Sequence, residues 1–372
     1  MPLYQERLMQ AIETCRTPQL GHVEEWCDHC GYTHTYYRSC RNRHCPKCQG
    51  LARAKWLEQR MAELLPTVYF HVVFTLPQPI AAIAFYNHEL VYDILFHATA
   101  ETLLTIAADP QHLGVATGFF AVLHSWGQTL HFHPHLHCVV PAGGLSADHE
   151  RWIRGSRKFL FPVKVLSKLF RRLFLEALEK AHAARKLQFF GDLASLTEPA
   201  AFANYLQPLK DKPWVVYAKA PFGGPEHVLR YLGRYTHRTA ISNRRILKVE
   251  NGMVSFEWKD YSDAHLSKVM TLPADEFIRR FLQHAVTPGF QRIRYYGFLA
   301  NCHRKAKLDL CRRLLATATS LLLPQPDTCR DFLATLLRTD LRLCPQCLKG
   351  ILSRVTFLPP SHATIALRLD SS

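Results

Sequence analysis

The stretch His131-Phe132-His133-Pro134-His135-Leu136-His137-Cys138-Val139-Val140 lies within 38 consecutive residues, 110–147, that hold no Asp, Glu, Lys or Arg. Side chains of a strand alternate between faces, so histidines two apart project to the same side. Pro134 interrupts a regular ladder, which sets the start of the regular strand near His135. His135 and His137 then share one face of a buried strand. Two imidazoles at this spacing can grip one divalent cation and leave positions open for substrate. The alternative is a pair of hydrogen-bonded core histidines, but a His-x-His strand in a charge-free run favours metal.

Around this strand the pattern predicts an α+β chain. Val68–Thr75 is rich in β-branched and aromatic residues and stops at Pro77, a strand. Residues 119–123 and 214–219 read as further strands, and Asn251-Gly252 between ILKVE and MVSFEW marks a hairpin. Residues 1–20, 51–65, 80–107, 226–238 and the basic amphipathic run that begins after Pro162 read as helices.

The 372 residues suffice for two or three domains. With 46 Lys plus Arg against 30 Asp plus Glu, the formal charge of +16 favours a polyanionic partner, nucleic acid before membrane. Glu6 and Arg7 stand where a signal peptide needs an apolar run. The charge-free stretches 64–88 and 110–147 are broken by prolines, histidines and glycines and do not supply the roughly 20 apolar residues of a spanning helix. The expected location is cytoplasmic, nucleoid-associated when bound to DNA.

Cysteine clusters instead of scattering. Cys27-Asp-His-Cys30 and Cys45-Pro-Lys-Cys48, separated by 14 residues, fit one tetrahedral four-thiolate zinc site that is closed and therefore structural. Cys40 and His44 stand by as substitutes for one ligand. Cys344-Pro-Gln-Cys347 is half of a second site, with Cys329 and His362 as candidate partners. Basic residues interleave with aromatics around the first knuckles and again across 289–315, which holds seven Lys or Arg and four aromatics, a pattern suited to phosphate contact and base stacking. Arg41, Arg43, Arg292 and Arg294 are the candidate DNA contacts there.

Tyr231 and Tyr235, four apart on a helix, share a face amid Arg234, Arg238 and Arg244, three further candidate DNA contacts. Two tyrosines at that spacing are commonly core; the arginines argue against burial. A phenol with its pKa of about 10 is a weak nucleophile unless the attacked phosphate is polarised and its developing charge is met by cations.

CDHCGY, SCRNRHCPKCQGLARAKWLEQR, YFHVVFTLP, HFHPHLHCVVPAGGL, YLGRYTHRTAISNRR, VSFEWKDY and GFQRIRYYGFLANCHRK together resemble the rolling-circle transposases of the insertion sequence 91 family, two-tyrosine members of the HUH single-strand nuclease superfamily. Cys302 departs from the polar residue expected in the last of these. The resemblance implies an HUH-type antiparallel sheet flanked by helices, an N-terminal zinc-binding domain and a basic helical C-terminal region. It divides the chain into a zinc-binding DNA-binding domain at 1–65, a catalytic domain at 66–300 and a basic region at 301–372. It further implies Mg²⁺ or Mn²⁺ held by His135 and His137, attack on single-stranded DNA by Tyr231 or Tyr235, a 5′-phosphotyrosine intermediate, and strand rejoining without ATP. The third metal ligand is left open. His237 points away from the tyrosine face, and Gln128, His131 and His133 are nearer in sequence. A metal-dependent hydrolase using activated water, and a zinc-finger DNA-binding protein without chemistry, are the alternatives.

Overall fold

The computed structural model describes residues 2–158, 160–219, 227, 229, 233, 240–261, 263, 266–315, 340 and 342–358. The chain forms two compact units. The smaller takes in Met1–Trp56, His237–Arg244 and Ser320–Ser372; the larger takes in Leu57–Thr236 and Arg245–Thr319. The expected separate region 301–372 is thus divided. Helix Arg304–Leu314 lies in the larger unit, and the strand at 352–358 is built into the smaller one.

In the larger unit, strands β3 (Tyr69–Thr75), β4 (Gly118–Trp126), β5 (Phe132–Pro141), β8 (Val216–Lys219) and β12 (Ile293–Gly297) form an antiparallel sheet in the order β12-β4-β5-β3-β8. The His-bearing strand is central. One face carries Phe70, Val72 and Phe74 of β3, Phe119, Ala121 and Leu123 of β4, and Leu136, Cys138 and Val140 of β5, all part of one core. Helices α3 (Gln78–Tyr86), α4 (His88–Ala108), α5 (Val163–Ala183) and α6 (Pro199–Asp211) close that core. The long helix expected at 80–107 is two, parted at Asn87, whose Nδ2–H groups donate to the carbonyls of Ile83 and Gln188. α4 is the one described helix long and apolar enough to cross a membrane, and 67% of its apolar window is buried inside the fold. Burial in this core accounts for its composition.

β5 begins at Phe132, three residues earlier than expected. On β4 two steps (Trp126 to His124) face three on β5 (Phe132 to His135), so His133-Pro134 is a bulge. A bulge is where a sheet tolerates a proline that cannot donate to the ladder. The Pro134 carbonyl still accepts from Leu76 N–H at 3.2 Å.

A meander of β9 (Ile246–Glu250), β10 (Met253–Asp260) and β11 (Leu266–Pro273) turns through Asn251 and Gly252, both at positive φ (49° and 71°), as the Asn-Gly signal predicts. With helix α7 (Ala274–Leu282) it holds the β4–β5 turn. Gln128 carbonyl accepts from Arg245, Thr129 carbonyl from Arg280, and Leu130 carbonyl from Gln283 and His284.

His284 donates Nε2–H to that carbonyl at 3.1 Å and accepts at Nδ1 from the Ser125 hydroxyl at 3.2 Å, a fully bonded neutral ring. Burial pushes its pKa down to about 3, and burial likewise lowers His88 to about 4. Below pH 6.5 the unfolded chain takes up these protons and the native state does not. Their stabilisation is therefore complete above 6.5 and declines as pH falls, by ~1.4 kcal/mol per pH unit for each ring. Urea unfolding is expected to register roughly 2 kcal/mol lost per ring between pH 6.5 and pH 5; a midpoint that does not move contradicts this.

In the smaller unit, helix α1 (Leu3–Thr14) precedes a three-stranded sheet, β13-β1-β2, made of β1 (His22–Cys27), β2 (Thr33–Tyr37) and β13 (Leu352–Leu358). β1 is the middle strand, paired antiparallel with both neighbours, and Cys27 stands opposite Leu352.

Candidate active site

The sheet face opposite the helical core carries the imidazoles. His135 pairs across the ladder with His124, and His137 with Val122 and Val73, so His124, His135 and His137 lie on one face of adjacent strands. One ligand nitrogen from each lies within 4.8 Å of the others. His135 and His137 share a face as expected, and the strand next to them contributes the third member, His124. His131 and His133 stand outside this triad, and Gln128 donates to the Tyr261 hydroxyl at 3.1 Å.

The remaining ring nitrogens are engaged in a way that aims the others. His135 Nδ1–H donates to the His133 carbonyl at 2.7 Å, leaving Nε2 for a ligand. His137 Nδ1 lies 2.7 Å from His71 Nε2, and the two rings stack at 4.9 Å. His71 stands on β3, opposite Val139, and so on the same sheet face. Buttressing of a ligating imidazole through its second nitrogen is the usual outer support of a metal site.

Burial is the first cause of depressed basicity in all four rings. It lowers His71 and His135 to about 4 and takes His124 and His137 well below the usual value of 6.5, with neighbouring imidazoles and, at His124, the Arg292 charge adding to it. At neutral pH all are neutral and offer lone pairs, the state a metal ligand requires. Three imidazoles offer nitrogen, which a divalent transition ion takes more readily than Mg²⁺, an ion that prefers oxygen.

Tyr217 on β8 pairs with Val73, which puts it on the imidazole face; it is exposed, its ring 6.5 Å from that of His71. Tyr231, Tyr235, Arg234 and Arg238 lie outside the described residues.

The other expected DNA contacts divide. Arg41 and Arg244 are exposed and Arg43 is partly so. Arg292 is buried, and its charge is felt at His124. Arg294 is ion-paired with Asp93 and lies over the Phe96 ring at 4.2 Å, so its charge is already met within the fold.

The structure does not bring Cys27, Cys30, Cys45 and Cys48 together. Cys45 and Cys48 gather with Cys15 and Cys40, while Cys27 and Cys30 gather with Cys344 and Cys347. The reason is the segment between the knuckles, which is a strand and not a loop. Cys27–Cys30 forms the β1–β2 turn, and the five residues of β2 carry the chain roughly 17 Å away before Cys40. Cys40 thereby arrives beside Cys15, which precedes β1; Arg16 N–H donates to Arg38 carbonyl at 3.0 Å, and Cys40 N–H to Cys15 Sγ at 3.5 Å. Cys40 and Cys48 sulfurs are 3.8 Å apart. A lone Cys15 after a helix gives no spacing signal, which is why sequence patterns pass over it.

Comparisons with known proteins identify the family. A family described as "Transposase zinc-binding domain" matches residues 1–76, and one described as "Putative transposase" matches residues 118–307, from β4 through the His-bearing strand to helix α8 (Arg304–Leu314). "Putative transposase y4qJ" of Sinorhizobium fredii (strain NBRC 101917 / NGR234) is 59% identical over 352 residues, covering 93% of this chain and 87% of that protein. The "Transposase for insertion sequence element IS801" of Pseudomonas savastanoi pv. phaseolicola is 28% identical over 290 residues, 77% of this chain and 68% of its own length. The chain carries a zinc-binding domain with structural zinc, its partner is DNA, and it is a DNA-cleaving and strand-transferring enzyme. It belongs to the insertion sequence 91 family of transposases.

Proposed function

We propose that this transposase cleaves and rejoins single-stranded DNA at element ends through a 5′-phosphotyrosine, in rolling-circle transposition. The observation that carries the proposal is the convergence of His124, His135 and His137 on one sheet face, each neutral and two of them oriented through their second nitrogen. These three rings would hold a divalent cation, Mn²⁺ or Mg²⁺, which supplies Lewis-acid polarisation of a phosphodiester. His71 orients His137. The charge of the buried Arg292 is felt at His124, and it would help to meet charge developing on phosphate oxygens there.

Tyr231 and Tyr235 are the nucleophiles of the proposal, on the strength of their motif. The phenolic oxygen forms a bond to phosphorus, the 3′-oxygen leaves with a proton as a free hydroxyl, and the phenolic proton passes to solvent. One phosphodiester is exchanged for another, so the reverse attack by a 3′-hydroxyl reseals DNA without ATP. Two tyrosines permit cleavage of the donor and joining to the target in succession. In the zinc-binding domain, Cys15, Cys40, Cys45 and Cys48 hold a structural ion, replacing the set first read from the knuckle spacing.

The test is incubation with single-stranded oligonucleotides of the flanking element and Mn²⁺, read on a denaturing gel. A protein–DNA adduct retarded in the gel and sensitive to protease supports the proposal. Nicking without an adduct replaces it with hydrolysis by activated water.

Binding should also depend on salt. If Arg and Lys contact the backbone, log affinity for single strands falls linearly with log salt, at a slope of about −0.7 per phosphate neutralised. Fluorescence anisotropy from low to physiological salt measures it; a flat response contradicts a backbone-dominated interface.

A further inference from the structure

We propose that Cys27, Cys30, Cys344 and Cys347 hold a second zinc ion, in a ribbon split between the two ends of the chain. The four sulfurs lie within 4.8 Å of one another. The two distances across the knuckles, Cys27–Cys347 and Cys30–Cys344, are both 3.7 Å. A tetrahedron with zinc–sulfur bonds of about 2.3 Å separates its sulfurs by about 3.8 Å. A disulfide requires about 2.0 Å. Equal spacing of both pairs at the tetrahedral edge is what one shared ion demands, and two independent disulfides are not.

The two knuckles are built alike. After Cys27–Cys30 comes Gly31 at φ 71°, and after Cys344–Cys347 comes Leu348 at φ 55°. Gly31 N–H donates to the Cys27 carbonyl at 3.1 Å and Leu348 N–H to the Cys344 carbonyl at 3.0 Å. Each turn is closed again by the N–H of its first cysteine, which donates to Tyr32 carbonyl at 2.9 Å in one and to Gly350 carbonyl at 2.8 Å in the other. Gly350 N–H is directed at Cys347 Sγ, 3.4 Å away.

The knuckles also interlock. Ile351 N–H donates to the Asp28 carboxylate at 2.7 Å, and Asp28 N–H to the Ile351 carbonyl at 3.3 Å. A Cβ on Gly350 would stand 2.5 Å from Cys27 Sγ and 2.6 Å from Asp28 Oδ1, so the approach admits only glycine. The local core is Cys27, Cys344 and Leu352, with Tyr32 and Cys347 against it. Among the described residues this apolar core is small, and a metal staple supports a sheet built on so small a core.

A consequence concerns assembly. The group of Cys15, Cys40, Cys45 and Cys48 is complete once the first 48 residues exist, whereas the split group waits for Cys347, after all of the catalytic residues. Loading releases four thiol protons as Zn²⁺ takes their place. The inference stands apart from the catalytic proposal, since it uses none of those residues.

The experiment is metal analysis of the full-length protein after passage over chelating resin. Two zinc ions per chain are expected, falling to one in Cys344→Ser/Cys347→Ser and also to one in Cys40→Ser/Cys45→Ser. One ion in the wild type, or two retained in Cys344→Ser/Cys347→Ser, overturns the proposal. Four thiols protected from alkylation in denaturant, without reductant, overturns it in favour of disulfides. Should the serine variant fail to fold, Cys347→His decides: it keeps a ligand, so the Co²⁺-loaded protein must retain its metal count while its sulfur charge-transfer band weakens. An unchanged band means that Cys347 is not a ligand.

Discussion

Replacement of His135 or His137 by alanine is expected to lower single-strand cleavage by about 10³-fold, because Lewis-acid stabilisation of several kcal/mol disappears and each 1.4 kcal/mol is tenfold. His124→Ala is expected to do the same, since all three nitrogens converge within 4.8 Å. Single-strand binding should stay within a few-fold of wild type, as affinity rests on backbone contacts away from the cation. His71→Ala removes only the 2.7 Å support of His137. It should weaken apparent Mn²⁺ affinity by roughly 10- to 100-fold and recover cleavage at high Mn²⁺. Cleavage rates against Mn²⁺ concentration separate these variants. Full activity in His124→Ala would return the site to two protein ligands, and equal loss of binding and cleavage would indicate damage to the fold.

Tyr231→Phe plus Tyr235→Phe should give a folded, DNA-binding protein that forms no covalent adduct, because only the two attacking oxygens are removed. Each single variant should keep some cleavage if the tyrosines substitute for each other, yet fail in complete transposition, which needs two strand transfers. Labelled oligonucleotide and a denaturing gel detect the adduct, and a donor-plasmid assay reads transposition. An adduct in the double variant would turn attention to Tyr217, which stands on the imidazole face of β8 and is exposed, and then to Tyr261.

Fold class, the His-x-His strand and its shared face, the Asn251-Gly252 hairpin and the zinc-knuckle character of the chain were all legible in the sequence. They depend on periodicity, turn chemistry and close spacing, which act over a few residues. His124 was visible in the same charge-free run, but nothing local says that it faces His135. Ladder register decides that, through a bulge at His133-Pro134 that shifts the pairing by one residue and sets His135 opposite His124. His71 likewise joins the site only because β3 borders β5.

The cysteines show the division most sharply. Two C-x-x-C elements 14 residues apart read as one site, yet the residues between them fold as a strand that keeps the knuckles apart. Each pair then takes its partners from elsewhere, Cys15 from the preceding helix end and Cys344 with Cys347 from the far end of the chain. Residue type and short spacing, set by the sequence itself, determined that this chain would carry thiolate zinc knuckles and a strand with paired imidazoles. Which ligands meet was decided by the tertiary structure alone, because strand pairing joins residues that are hundreds of positions apart and no short-range pattern encodes such contacts.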